Sequence, residues 1–87
     1  MSAFTGVPNI GKIMVQQLGD VGVHSPEELA AVGSREAWLR ILAMDPSACY
    51  MRLCGLEGAI RGVRWHDLPD DVKADLKVFY RKYKPGK

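Results

Sequence analysis

Gly6-Val7-Pro8-Asn9-Ile10-Gly11-Lys12-Ile13 comes within one residue of the phosphate-binding loop G-x-x-x-x-G-K-[ST]. In that loop a hydroxyl after the lysine holds magnesium, and here Ile13 stands in its place. Five residues precede Gly6, too few for the strand that such a loop closes, and no acidic metal-holding strand is expected downstream. Nucleotide hydrolysis is therefore not the expected chemistry. The same residues suit a different device. A Pro-Asn-Ile-Gly turn opening a helix presents backbone N–H groups at the positive helix end, an anion site without a metal. Lys12 would add a point charge. Asn9 and Gly11 tolerate the unusual backbone angles of such a turn. Asn9, Ile10, Gly11 and Lys12 are thus the candidate phosphate-binding residues. The plainer alternative is a structural turn that packs Ile10 into the core.

Other reactive residue types find no constellation. Cys49 and Cys54 lie five apart, about 140° around a helix, so they diverge and read as free thiols of a reducing compartment. With His24 and His66 they still lack metal-ligand spacing, so neither a metal nor a small-molecule cofactor is expected. Ser25, Ser34 and Ser47 read as helix starts rather than nucleophiles. Asp67, Asp70, Asp71 and Asp75 could imitate paired carboxylates, but they crowd a helix N-terminus, where the dipole alone accounts for them. Trp38, Trp65, Phe79, Tyr80 and Tyr83 fall at helical spacing or in a turn, the pattern of a core rather than a base-stacking platform. No catalytic residue is expected.

The chain that must position these residues has 87 of them, 47% hydrophobic and 25% charged, which is globular composition and one small domain over residues 1–87. No apolar run approaches the roughly 18 residues of a membrane span. The start, Met1 to Thr5, has neither a basic head nor an apolar core, so no leader is expected and the cytoplasm is the expected compartment. The net charge of +2 conceals an asymmetry. Arg81, Lys82, Lys84 and Lys87 crowd the last seven residues, leaving eight bases and ten acids before them. A duplex-DNA reader usually carries its bases on the folded body. Residues 81–87 are expected to form a flexible basic tail. It either complements the negative end of the last helix, or lets Arg81, Lys82 and Lys84 touch an acidic partner.

The punctuation between these sites is helical. Ile10, Ile13, Met14, Leu18 and Val21 mark one face of a first helix, ended by Gly19 and Gly22. Ser25-Pro26-Glu27-Glu28 is a capping box, and Gly33 closes the short helix behind it. Ser34 caps a third helix with Ala37, Trp38, Ile41 and Leu42 inward. After Asp45-Pro46-Ser47, the stretch from Ala48 to Ile60 is apolar almost all round, with Arg52 and Glu57 its only charges. Such a helix belongs at the centre. Its Gly55 and Gly58 each weaken the helix by about 1 kcal/mol and predict close approach by another backbone. Gly62 ends it. Trp65 to Pro69 lead into a last helix whose stripe is Val72, Leu76, Phe79, Tyr80 and Tyr83. No segment alternates with period two, so the expected fold is all-α, about five short helices.

Pro8-Asn9-Ile10-Gly11-Lys12 resembles the hairpin of helix-hairpin-helix motifs, which implies backbone amides gripping a DNA phosphate. Over nearly the whole chain, from Phe4 to Tyr80, the sequence resembles the C-terminal domain of the TfoX family of bacterial competence (DNA-transformation) regulators. The resemblance rests on Val7-Pro8-Asn9-Ile10-Gly11, Leu18, Val21-Gly22-Val23, Ser25-Pro26-Glu27-Glu28-Leu29, Gly33 and Glu36-Ala37-Trp38-Leu39-Arg40. Its most specific stretch runs from Leu53 to Pro69, with Leu56-Glu57-Gly58-Ala59-Ile60, Gly62, Trp65 and Leu68-Pro69. It implies a stand-alone, helix-hairpin-helix-like domain of a bacterial cytoplasmic protein tied to regulation of DNA-uptake genes. It carries across no catalytic residue and no cofactor. The expected mode of action is contact with a protein partner, with weak, sequence-independent DNA binding through the hairpin and the tail as the alternative. No membrane association is expected.

Overall fold

Ser25 starts a helix for the reason its sequence suggests. Its hydroxyl accepts the Glu28 N–H at 3.1 Å, with Pro26 in the first turn. The Glu28 carboxylate reaches back to the His24 N–H at 2.7 Å, one residue earlier than in the usual capping box. Local signals of this kind divide the chain into α1 (Lys12–Asp20), α2 (Pro26–Val32), α3 (Ser34–Met44), α4 (Tyr50–Arg61) and α5 (Asp70–Tyr83). A single 3₁₀ turn, Trp65–Asp67, joins α4 to α5. The computed structural model describes Phe4 and residues 6–83, and no strand occurs among them. The fold is all-α, as the sequence predicts.

The nearly chargeless helix takes the centre. α4 packs against α2, α3, α5 and the 3₁₀ turn. It buries Leu53, Cys54, Leu56 and Ala59, and closes on Gly62 in a left-handed conformation (φ 75°). Trp38 of α3 is fully buried beside it, with the Phe79 and Tyr80 rings of α5 at 6.1 and 5.7 Å. Its indole N–H donates to the Cys49 carbonyl at 3.2 Å, so the one polar atom of the side chain is satisfied. Leu18, Val23, Leu29, Ile41, Leu68 and Leu76 are among the other buried residues of the core. No helix among the described residues is long and apolar enough to cross a membrane.

Four sequence expectations are corrected. Ser34 does not cap α3. Gly33 (φ 90°) is both the last residue of the α2 turn and the N-cap of α3, and the one-residue joint carries Ser34 into the helix. There its hydroxyl turns inward and donates to Glu57 Oε1 at 2.6 Å. Ser47 does not open α4 either. It folds back on the Asp45 carboxylate, and the helix begins three residues later. Ile13 leaves the inner face of α1 and is 68% exposed. Met14 and Leu18, four apart, aim the helix inward and leave Ile13 on its flank. Finally, Arg81 and Lys82 are not tail residues but the last turn of α5, where cations complement the helix dipole. Lys84 lies outside the described residues.

Candidate interaction site

The turn before α1 is built around Asn9. Its backbone takes φ 69°, left-handed, a conformation that asparagine adopts more readily than most residues. That geometry turns the carboxamide into the molecule rather than out of it. Asn9 Nδ2 donates to the Val63 carbonyl at 2.9 Å and, more weakly, to the Gly55 carbonyl at 3.4 Å. Its Oδ1 accepts the Trp65 N–H at 3.1 Å. One side chain thus ties the N-terminal turn to α4 and to the segment beyond it. The glycines of α4 make room for it. A Cβ on Gly58 would stand 2.6 Å from Asn9 Nδ2 and 2.7 Å from the Val63 carbonyl oxygen. A Cβ on Gly55 would meet Asn9 Cβ at 3.4 Å. The close approach expected at these glycines is made chiefly by a side chain, with the Val63 backbone at Gly58.

The other candidate hairpin residues divide. Ile10 is half-buried and packs against the core, the structural role foreseen for it. Gly11 and Lys12 are exposed, and α1 begins without a side-chain cap or an acidic residue in its first turn. Among the described residues, its first N–H groups therefore lack the side-chain partners that Ser25 and Glu28 give to α2. Arg81 and Lys82 are exposed at the far end of α5.

A second polar knot lies beside the first. Asp45 Oδ2 accepts from Gln17 Nε2 at 2.7 Å and from Arg52 Nη1 at 2.8 Å, and Arg52 also reaches Gln17 Oε1 at 3.2 Å. Its other oxygen accepts the Ser47 hydroxyl at 2.6 Å and the Ser47 N–H at 3.0 Å. The Ser47 hydroxyl, then Arg52, Gln17 and the Ser47 amide, hold the Asp45 carboxyl far below the usual carboxylate range. Glu57, the other charge partner on α4, resists burial in the same way. Burial pushes its carboxyl up, but the Ser34 hydroxyl and Arg61 (Nε at 2.6 Å) more than offset that and leave it lowered. Burial, with the Cys54 thiol beside it, pushes Tyr50 up to about 12, and its hydroxyl donates to the Lys73 carbonyl at 2.9 Å.

Two open hollows flank the Gln17–Asp45–Arg52 knot, each of about 340 Å³. One is lined by Asn9, Met14, Met51, Arg52, Gly55 and Trp65. Ile13 and Met44 are among the residues that line the other. Ile13, Met44 and Met51 are large apolar side chains left in water. This face was not foreseen. Its one sequence signal was Arg52, one of two charges in the nearly apolar stretch from Ala48 to Ile60, since a charge there must find a partner or an exit to solvent. His24 and His66 stand at the start of α2 and in the 3₁₀ turn, and no group of three or more metal-ligating side chains forms among the described residues. Cys49 and Cys54 are free thiols, the second one buried.

Residues 2–80 match the TfoX C-terminal domain. The chain belongs to that family. Two solved structures are close to it in sequence and shape. An uncharacterised protein from Listeria monocytogenes, in a triclinic crystal form, is 46% identical, with a TM-score of 0.89 over 91% of this chain and 90% of its own. A protein of unknown function from the same organism, in a tetragonal form, is 45% identical, with a TM-score of 0.89 over 92% of this chain and 98% of its own. No curated protein matches the chain. Membership of the TfoX C-terminal family suggests a competence-related regulatory domain, and the fold meets the all-α architecture expected from that resemblance.

Proposed function

We propose that this TfoX C-terminal domain is a non-enzymatic regulatory module that acts by protein contact in the control of DNA-uptake genes in the bacterial cytoplasm. The observation that carries this reading is the exposed apolar face of Ile13, Met44 and Met51 around the Gln17–Asp45–Arg52 knot. Exposed methionines on a rigid frame make an adaptable contact surface. Asp45 and Glu57, the acids held low by their partners, spend their lone pairs on structural bonds, which suits a binding module better than an acid–base catalyst.

The test is cross-linked co-purification from the native host, with transcripts of the DNA-uptake genes measured in parallel. The paired substitution Ile13→Glu and Met51→Glu should abolish the recovered partner and change transcript levels together. Recovery of no partner from the unmodified protein, or unchanged transcripts in the folded double variant, contradicts the reading.

A second reading is supported by the uncapped first turn of α1. Exposed Gly11 and Lys12 stand beside helix amides that no side chain among the described residues caps, the arrangement by which a hairpin grips phosphate. In that reading the domain binds DNA weakly and without sequence preference through residues 9–12, aided by Arg81, Lys82 and Lys84. Fluorescence anisotropy with labelled duplex DNA at two salt concentrations separates the two. Phosphate gripping loses affinity steeply with salt and with Lys12→Glu, whereas an apolar protein contact is comparatively indifferent to salt.

A further inference from the structure

The hollow bounded by Asn9, Met14, Met51, Arg52, Gly55 and Trp65 is the more apolar of the two that flank the knot, and its chemistry selects an occupant. Its walls are two thioethers and an indole. Buried Gly55, packed beneath the Asn9 side chain, forms part of its floor. Its volume of about 340 Å³ is at the low end of the roughly 300–1,000 Å³ typical of ligand pockets. That suits a single bulky side chain better than a cofactor. Met51 is 55% exposed, so an apolar group entering here would cover apolar surface now in water.

The charge around the hollow has one sign. Segments 8–15, 50–55 and 63–65, which build it, carry Lys12, Arg52 and Arg64 and no Asp or Glu. Asp45, on the adjoining turn, is paired with Arg52, so those two charges offset each other and Lys12 and Arg64 carry the remaining positive charge. Lys12 and Arg64 have no ion pair among the described residues. The first turns of α1 and α4, which supply Met14, Met51 and Arg52, contain no acidic residue, so neither helix dipole is offset locally. By contrast α2, α3 and α5 each carry acids in the first turn. An apolar hollow set in a positive rim fits an apolar side chain with negative neighbours.

The geometry points to a docking site for an acidic peptide segment of a protein partner, which inserts one phenylalanine or leucine side chain between Met14, Met51 and Trp65 while its flanking carboxylates face Lys12 and Arg64. This rests on the protein-contact reading and specifies the partner's chemistry. Bare phosphate is not the favoured occupant, because it would leave the thioether and indole walls uncovered. The methionines let the walls adjust to either Phe or Leu.

The test is NMR on the full chain, with methionine methyl and indole signals observed. The probe is acetyl-Asp-Asp-Phe-Asp-Asp-amide. Saturable shifts are expected at Met14, Met51 and the Trp65 indole, with the buried Trp38 indole unmoved. A probe with serine in place of phenylalanine should bind about tenfold more weakly, as expected for one lost apolar side chain. A lysine-flanked probe should bind more weakly still. Met51→Glu, at an exposed position that leaves the fold intact, should weaken the acidic probe about tenfold as well. Val78→Glu, at an exposed position on α5 that lines neither hollow, should leave it unchanged. Equal binding of the lysine-flanked probe, shifts centred elsewhere, or no shift at millimolar probe would overturn the assignment. So would single-stranded oligothymidine producing the same shifts at lower concentration, or self-association of the chain through the same residues. If the partner recovered from cells still binds the Met51→Glu protein, the protein-contact reading survives and the hollow as its docking site does not.

Discussion

The turns that open α1 and α4 stand side by side, and each is held by one polar residue, Asn9 in the first and Asp45 in the second. They are held differently. Asn9 is neutral and bonds backbone groups, the Val63 and Gly55 carbonyls and the Trp65 N–H. Asp45 is charged, and three of its partners are side chains, those of Gln17, Arg52 and Ser47. The amide knot fixes chain segments more than fifty residues apart whatever the pH or salt. The carboxylate knot joins α1, its own turn and α4 at the surface, where salt and acid can loosen it. One turn is cut into the frame of the molecule, and the other supports the edge of a contact surface.

The comparison breaks most sharply at Gly58. Gly58→Ala should cost about 2 kcal/mol net, since the crowding of Asn9 Nδ2 and the Val63 carbonyl outweighs the roughly 1 kcal/mol gained in helix propensity. A urea midpoint well below the parent's, with an unchanged slope, would show it. Next comes Asn9→Gly. It keeps the left-handed turn but leaves the Val63 carbonyl and the Trp65 amide unpaired, for a loss of about 1.5 kcal/mol. Asn9→Ala should lose more than Asn9→Gly, because alanine also resists the positive φ.

Asp45→Asn sharpens the other half, with an effect smaller than at Asn9. A carboxyl held low in the fold but ordinary when unfolded stabilises fully above the ordinary value near 4, and loses that contribution as the pH falls below it. Wild-type thermal stability should therefore drop on acidification below about pH 4. Asp45→Asn should flatten the acid limb, while the Glu57 contribution remains. High salt should narrow the gap between the variant and its parent. The smallest effect belongs to Gly55→Ala. Its new Cβ meets Asn9 Cβ at ordinary contact distance, so stability should change by less than about 1 kcal/mol in either direction.

Much of the frame was legible in the residues. Ser25 to Glu28 carried a complete local signal, and the chargeless stretch around Leu53 and Cys54 had only the centre to occupy. Gly55 and Gly58 announced a close approach without naming what approaches, because the partner is Asn9, some fifty residues away. Ser34 misled because serine after glycine looks like a cap, and only the one-residue joint at Gly33 turns it inward to Glu57. Ile13 misled because a nine-residue helix can rotate its short apolar stripe onto Met14 and Leu18. The hairpin residues were singled out for their amides, yet the Asn9 side chain is what ties this region together. The hollow beside it was invisible in sequence, since Met14, Met51 and Trp65 come from three separate segments.

Amide hydrogen exchange at Trp65 probes the Asn9 tie most directly, because that N–H points at Asn9 Oδ1. In the parent protein it should exchange only with opening of the α4 frame. In Asn9→Gly it should exchange about tenfold faster than the overall loss of stability accounts for, while the Trp38 backbone amide follows that overall loss alone. A Trp65 amide that exchanges as fast in the parent as in Asn9→Gly would mean that Asn9 does not hold the N-terminal turn to the centre of the domain.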